Sequence, residues 1–231
     1  ITTPIMLTIM IIFAMQIAAT SIAIEKEEKT LETLLSLPVS RFGILAGKLG
    51  GTIIIAVLGA AAFMVGYLVY ANQIFVSYGE DMPQVSLESI GIGLTPQAFI
   101  VLGVVIFMAL LSSLALSLSI SVFAEDVRSA QTLVGYLYLP LMIPAFILMM
   151  VDLNSLPPPI AIPLYLIPYT YVIQASKDLL LGEYTSSIIG IAYISLFTLA
   201  VLYFAARMFE TEKILTARLR IFRRKTITPK T

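Results

Sequence analysis

Hydrophobic and polar positions fall into long blocks along this chain, neither alternating as in a strand nor striping one side as in a soluble helix. Five blocks are apolar over the roughly 20 residues that a helix needs to cross a hydrocarbon core about 30 Å thick. They are Pro4 to Ile24, Ile44 to Val69, Pro96 to Phe123, Ala130 to Val151 and Ser186 to Ala206. In lipid every backbone N–H and C=O must be paired within the structure, and a helix achieves that by itself. A membrane β-barrel would need segments of about ten residues that alternate apolar and polar, and these blocks do not alternate. The expectation is an all-α integral membrane protein, a polytopic helical bundle of five transmembrane helices forming a single domain over residues 1–231.

The first polar interruption, EKEEKTLETLLSLPVSRFGILAGK from Glu25 to Lys48, is itself patterned. Glu25 and Lys29 stand at i, i+4, Leu31, Leu34 and Leu35 repeat at helical spacing, and Pro38 ends the run. The spacing predicts a short amphipathic helix over residues 25–37 at the membrane surface, after which Ser40 can cap the second span. Such a helix can meet anionic lipid or another protein. Lipid-binding helices are rich in Lys and Arg, whereas this one carries four Glu and two Lys. The acidity favours a protein partner, with a solvated helical loop as the plain alternative.

The other interruptions differ in kind. Residues 71–95 hold Asn, Gly, Pro and three acids but no cation, as an external loop or short cap would. Asp152 to Thr185 carries Pro157, Pro158, Pro159, Pro163 and Pro168 among apolar residues, with Tyr165, Tyr169 and Tyr171. It is too broken to span and too apolar to be freely solvated. A re-entrant outer hairpin fits both facts, and an interfacial loop with an aromatic belt is the alternative.

Composition agrees with the block pattern: of 231 residues, 59% are hydrophobic and 12% charged, and the mean hydropathy of +0.98 is too high for a soluble domain. With no cysteine or histidine, disulfides, thiol chemistry, the usual zinc ligands and a histidine acid–base are excluded. Charge sets an orientation. Of the 14 Lys and Arg, four lie in Lys26 to Lys48, one is Arg128, one is Lys177, and eight lie from Arg207 onward. With five spans, segments 25–48, 124–129 and 207–231 share a side and hold thirteen of the 14. The positive-inside rule makes that side cytoplasmic, in a multi-pass cell-membrane protein, and puts residue 1 outside. An outside start without a signal peptide leads to the expectation of an odd number of further spans, most simply one, upstream of Ile1.

Several other patterns invite chemistry. Gly43 to Lys48 suggests a phosphate loop, but three residues rather than four separate the glycines, Leu49 follows the Lys, and no strand precedes it. Gly43, Gly47 and Gly51 recur at i+4, the spacing that lets helix backbones approach closely in lipid, unless it is chance among common membrane glycines. Ser113, Ser117 and Ser121, with Ser112 and Ser119, put hydroxyls along the third span, for interhelical packing in preference to a substrate lining. No Asp, Glu, Lys or Arg sits mid-span, which lowers the class of ion-coupled carriers. Pro140 and Pro144 either kink the fourth span or are simply tolerated. In the tail, Leu215, Leu219 and Phe222 with the surrounding arginines form a basic amphipathic stretch, for the inner leaflet or as a topology anchor.

The run EKEEKTLETLLSLPVSRFGILAGKL resembles the cytoplasmic signature of the permease subunits of type-2 ABC exporters (ABC-2). Glu28, Thr30, Leu31, Glu32, Leu34, Leu35, Pro38, Arg41, Gly47 and Lys48 match it. Weaker likenesses are FAEDVRSAQT at Phe123 to Thr132 and the proline-rich outer segment ending KDLLLGEY. The resemblance implies a coupling helix that docks into a separate ABC ATPase through Glu25, Glu28, Thr30, Leu31, Glu32, Leu34, Leu35, Pro38 and Arg41, with Glu125, Asp126 and Arg128 as a second cytoplasmic contact. It also implies ATP and Mg bound by the partner and none by this chain, and a second permease copy or homologue; no nucleic acid is expected. The family usually has six spans, in keeping with an upstream helix missing here. The rival expectation is an ATP-independent channel or carrier, or a scaffold subunit whose charged loop recruits a cytosolic protein.

Overall fold

The computed structural model describes residues 3–28, 41–79 and 95–210. Among these every regular element is helical: α1 (Thr3–Glu27), α2 (Arg41–Gly79), α3 (Pro96–Ser121), α4 (Val127–Gly135), α5 (Tyr138–Met150), α6 (Pro158–Leu166), α7 (Thr170–Asp178) and α8 (Thr185–Glu210), with single 3₁₀ turns at Leu153–Ser155 and Leu179–Leu181. Five segments are long and apolar enough to cross a membrane: Pro4–Glu25, Gly50–Tyr70, Pro96–Ser121, Val127–Met150 and Thr185–Phe204. They coincide with the five expected spans. Two boundaries move: α2 continues as helix to Gly79, through the first residues expected to be an outer loop, and α8 carries Arg207 in its last turn.

The core is organised around α3. Half of its span is buried, against 22% for that of α2, and it packs on α1, α2 and α8. Pro96 occupies the first turn, where its missing N–H costs nothing, and the Thr95 side chain accepts from the Ala98 N–H at 3.1 Å as N-cap. α1 turns Leu7, Ile11, Ala14 and Ala18 inward while Met6, Phe13, Ile17 and Ile24 stand exposed on its far side. α2 buries a narrower stripe at i+4 intervals, Thr52, Ala56, Ala60 and Met64, and exposes Ile53, Ile54, Leu58, Val65 and Leu68. A helix apolar on both its packed and its exposed face belongs in lipid or in a larger membrane assembly.

Serines on α3 serve the packing. Ser112, Ser113, Ser117, Ser119 and Ser121 are all buried. Ser117 donates to the Met15 carbonyl of α1, whereas Ser113, Ser119 and Ser121 donate back to carbonyls of their own helix three or four residues earlier.

The fourth span is two helices. α4 and α5 are separated by a turn at Tyr136 and Leu137, where Tyr136 N–H reaches Thr132 O at 3.3 Å and Leu137 N–H reaches Val134 O at 2.9 Å. Pro140 supplies the cause: it lacks the N–H that would bond the Tyr136 carbonyl, and its ring crowds that carbonyl. Pro144, by contrast, stays inside α5. The Tyr138 hydroxyl, just past the break, donates to Gln16 Oε1 of α1.

The proline-rich segment, residues 152–185, forms the helix–turn–helix α6–α7. α7 lies against α1, α3, α5 and α8 and buries Val172, Ile173 and Ala175, while α6 leaves Ile160, Ile162 and Leu166 exposed. Lys177 Nζ pairs with Asp152 Oδ1 at 2.9 Å, Tyr193 donates to the Leu166 carbonyl at 2.9 Å, and the Tyr171 ring sits 5.0 Å from that of Tyr193. At Gly190 the α8 backbone comes so close to α7 that an added Cβ would lie 2.8 Å from Tyr171 Cβ.

Candidate functional site

The charged end of the bundle is built by the last turn of α1 and the first turn of α4. α1 does not stop at the apolar boundary. Its helix carries Glu25 and Glu27, and Glu28 N–H still bonds the Ile24 carbonyl at 2.9 Å. The first residues of the expected amphipathic helix are therefore an extension of the first span. Thr30, Leu31, Glu32, Leu34, Leu35 and Pro38 lie outside the described residues. Arg41 opens α2, which also contains Gly43, Gly47 and Gly51.

α4 starts from a compact cap. Asp126 is extended (φ −141°, ψ 174°) and its Oδ1 accepts from Ser129 N–H at 2.7 Å, while Ser129 Oγ accepts from Asp126 N–H at 3.1 Å. This reciprocal box satisfies donors that a helix start leaves free. The Ser129 N–H and hydroxyl hold the Asp126 carboxyl below its ordinary value, burial opposes them slightly, and the Arg128 charge adds to the lowering. Glu125 and Arg128 are exposed on either side.

The next free donor of α4 is satisfied from another helix: Val127 N–H bonds Glu27 Oε2 at 3.3 Å. Two carboxylates thus converge on the positive end of the α4 dipole, one from its own N-cap and one from α1. The second cytoplasmic contact expected from sequence, Glu125 to Arg128, stands beside the Glu25–Glu28 end of the first. Glu27 was not among the residues singled out in the sequence. Its neighbours Glu25 and Glu28 carry the same charge, and only the position of α4, a hundred residues on, distinguishes it.

The glycines behave differently from one another. A Cβ at Gly47, Gly50 or Gly51 would meet open space, whereas one at Gly59 would lie 3.1 Å from Leu110 Cδ1. Among the described residues nothing lies close against Gly47 and Gly51. The charged end is built on two helix termini hydrogen-bonded to each other, with the carboxylates of Glu27 and Asp126 at the start of α4 and the Arg128 guanidinium exposed beside them.

A family model described as an ABC-2 family transporter protein matches residues 1–208. No curated protein and no solved structure gives a significant match.

Proposed function

Since the chain belongs to the ABC-2 transporter family, as a multi-pass membrane permease component, we propose that it couples ATP hydrolysis by a separate ATPase subunit to the movement of a substrate across the membrane, as an exporter. The ATP and its Mg are bound by that partner. The charged end, with residues 25–41 and 124–129, faces the cytoplasm and receives the ATPase, and the α6–α7 element is a re-entrant hairpin at the outer side. A second permease subunit completes the assembly. The exposed apolar face of α2 and its open glycines supply surface for that subunit or for lipid.

The observation that supports this reading most is the bond from Val127 to Glu27. It makes one mechanical unit of two segments that the sequence separates, so a push on either is felt by the first and fourth spans together. The test is co-purification with a cognate ATPase subunit, together with its ATP hydrolysis in reconstituted membranes. Leu34→Glu with Leu35→Glu is expected to abolish association. Unchanged association with unchanged hydrolysis would remove the coupling role.

A further inference from the structure

One face of α7 is polar in the midst of apolar packing. Thr170, Gln174 and Asp178 recur there at i+4 and are 0%, 6% and 7% exposed. Thr170 stands about two turns from Asp178, but Gln174 and Asp178 touch: Gln174 Nε2 donates to Asp178 Oδ1 at 2.8 Å. That contact uses the amide's donor side and one carboxyl oxygen. The other atom of each group, Gln174 Oε1 and Asp178 Oδ2, is buried without a hydrogen-bond partner among the described residues. Buried polar atoms are ordinarily paired, and here two unpaired ones belong to two side chains already in contact.

While Asp178 is ionised both orphans are acceptors, and two acceptors cannot satisfy each other. A proton on Oδ2 makes it a donor for Gln174 Oε1. A primary amide and a carboxylic acid are complementary, each carrying a donor beside an acceptor, so N–H···O at Oδ1 and O–H···O at Oε1 close a single ring. The terminal torsions of Gln and Asp are broad enough to bring the second pair of atoms together while the first stays bonded. A water between the two oxygens would also pair them, but it would leave a buried carboxylate charge with no cation to balance it.

The surroundings of Asp178 favour its neutral form. It is the last residue of α7, at the negative end of the helix dipole. Lys177, the cation next to it in sequence, is paired with Asp152 at 2.9 Å. The helices α1 and α3, both packed on α7, carry no titratable side chain over residues 3–24 and 96–121. Those on α5, α6 and the first half of α8 are Tyr138, Tyr165 and Tyr193, each hydrogen-bonded elsewhere. Burial pushes the Asp178 carboxyl above its ordinary value, Ser186 and Gln174 pull it back, and the negative charges of Glu183 and Asp152 raise it further. We infer that Asp178 holds a proton in the folded chain at neutral pH, its Oδ2–H donating to Gln174 Oε1 in a closed acid–amide pair. Solvent supplies the proton, and its loss sets two acceptors face to face at the turn that leads from α7 to α8. The pair is thus a proton-dependent latch on that turn.

Infrared spectra of the whole chain at pH 7, in a detergent free of carbonyl groups, test this directly. A carboxylic-acid C=O stretch is expected, lost in Asp178→Asn and moved to higher frequency in Gln174→Leu, which leaves the acid without its amide. Asn is the isosteric mimic of the protonated acid and can keep the ring. Should that variant still fail to fold, 13C labelling of the aspartate carboxyls in the unaltered chain carries the test, with the band expected to move to lower frequency. No acid band at pH 7, a band that Asp178→Asn retains or the label leaves in place, or a band that Gln174→Leu does not move would each overturn the proposal. Thermal unfolding gives a second reading. A carboxyl raised in the folded state binds more protons folded than unfolded, so stability falls as the pH rises from its unfolded value, near 4, towards the folded one. With no histidine or cysteine in the chain, little else titrates around neutrality. The unfolding midpoint is expected to fall by roughly 3 °C per pH unit from pH 5 to 7, and Asp178→Asn to flatten that slope; equal slopes in the two proteins would also overturn the proposal. Neither readout involves transport or ATP hydrolysis.

Discussion

Val127 hands its backbone N–H to Glu27 across 3.3 Å, joining the end of α1 to the start of α4 over a hundred residues of sequence. A carboxylate at a helix N-terminus is favourable both as an acceptor and as a charge facing the dipole. Here the same bond also sets the end of α1 against the start of α4. The two helix ends cannot drift apart without losing it.

Glu27→Ala removes the acceptor and returns the Val127 N–H to water. The expected cost is about 0.5–1 kcal/mol, by analogy with other lost helix caps, confined to the start of α4. Hydrogen exchange should quicken at Val127 to Ala130 and stay unchanged in α3, while Glu27→Gln, which keeps an acceptor oxygen, gives the smaller change. Equal exchange in all three proteins would show that the bond holds nothing in place.

Asp126 has a carboxyl held below its ordinary value by Ser129. A carboxylate whose folded-state value is lowered adds stability that is present above its unfolded value, near 4, and is lost as the pH falls through the folded one. The α4 cap is therefore expected to loosen only under acid, below about pH 4. Asp126→Asn should flatten that acid step in hydrogen exchange at Ser129 and Ala130, and a step of undiminished size in the variant would assign it to another group.

Ser117 and Ser119 test the two uses of hydroxyls on α3. Ser117 bonds across to the Met15 carbonyl and Ser119 back to its own helix. Ser117→Ala is expected to cost about 0.6 kcal/mol, a common value for an interhelical hydrogen bond in a membrane, and Ser119→Ala less. Thermal unfolding of the two variants in one detergent decides the order.

Glycines at two depths should respond in opposite senses. Gly190→Ala drives a methyl to 2.8 Å from Tyr171 Cβ, and the forced shift between α7 and α8 is expected to cost roughly 1–3 kcal/mol. Gly47→Ala meets open space, so the isolated chain should keep or slightly raise its stability. If Gly47 faces a second membrane subunit, the same change should weaken that association. A stable Gly190→Ala with an unaltered melting profile would mean that the two helices separate freely.

What could be read from the chain follows from which forces act locally. Long apolar blocks determine the spans because the bilayer sets a minimum helix length, and the five expected segments coincide with five helices. The break at Tyr136 and Leu137 was signalled only by Pro140, whose effect falls one turn earlier than the residue itself, on the carbonyl four positions back. Glu27 could not be told from Glu25 or Glu28, since its distinction is a contact with α4. The polar stripe of Thr170, Gln174 and Asp178 did have a sequence signal, i+4 recurrence within an otherwise apolar, proline-rich stretch. The surrounding prolines and tyrosines dominate the composition of that stretch and mask it.

The interruption between α4 and α5 gives the fourth span a property that a straight rod lacks. A continuous helix pushed at one end must translate or tilt as a whole, moving its far end by a comparable amount. With an elbow at Tyr136 and Leu137, pinned to α1 where Tyr138 meets Gln16, the half that begins at Val127 can change direction relative to the half seated against α7. Displacement of one half need not arrive at the other as displacement. It can arrive as a change of angle at the break.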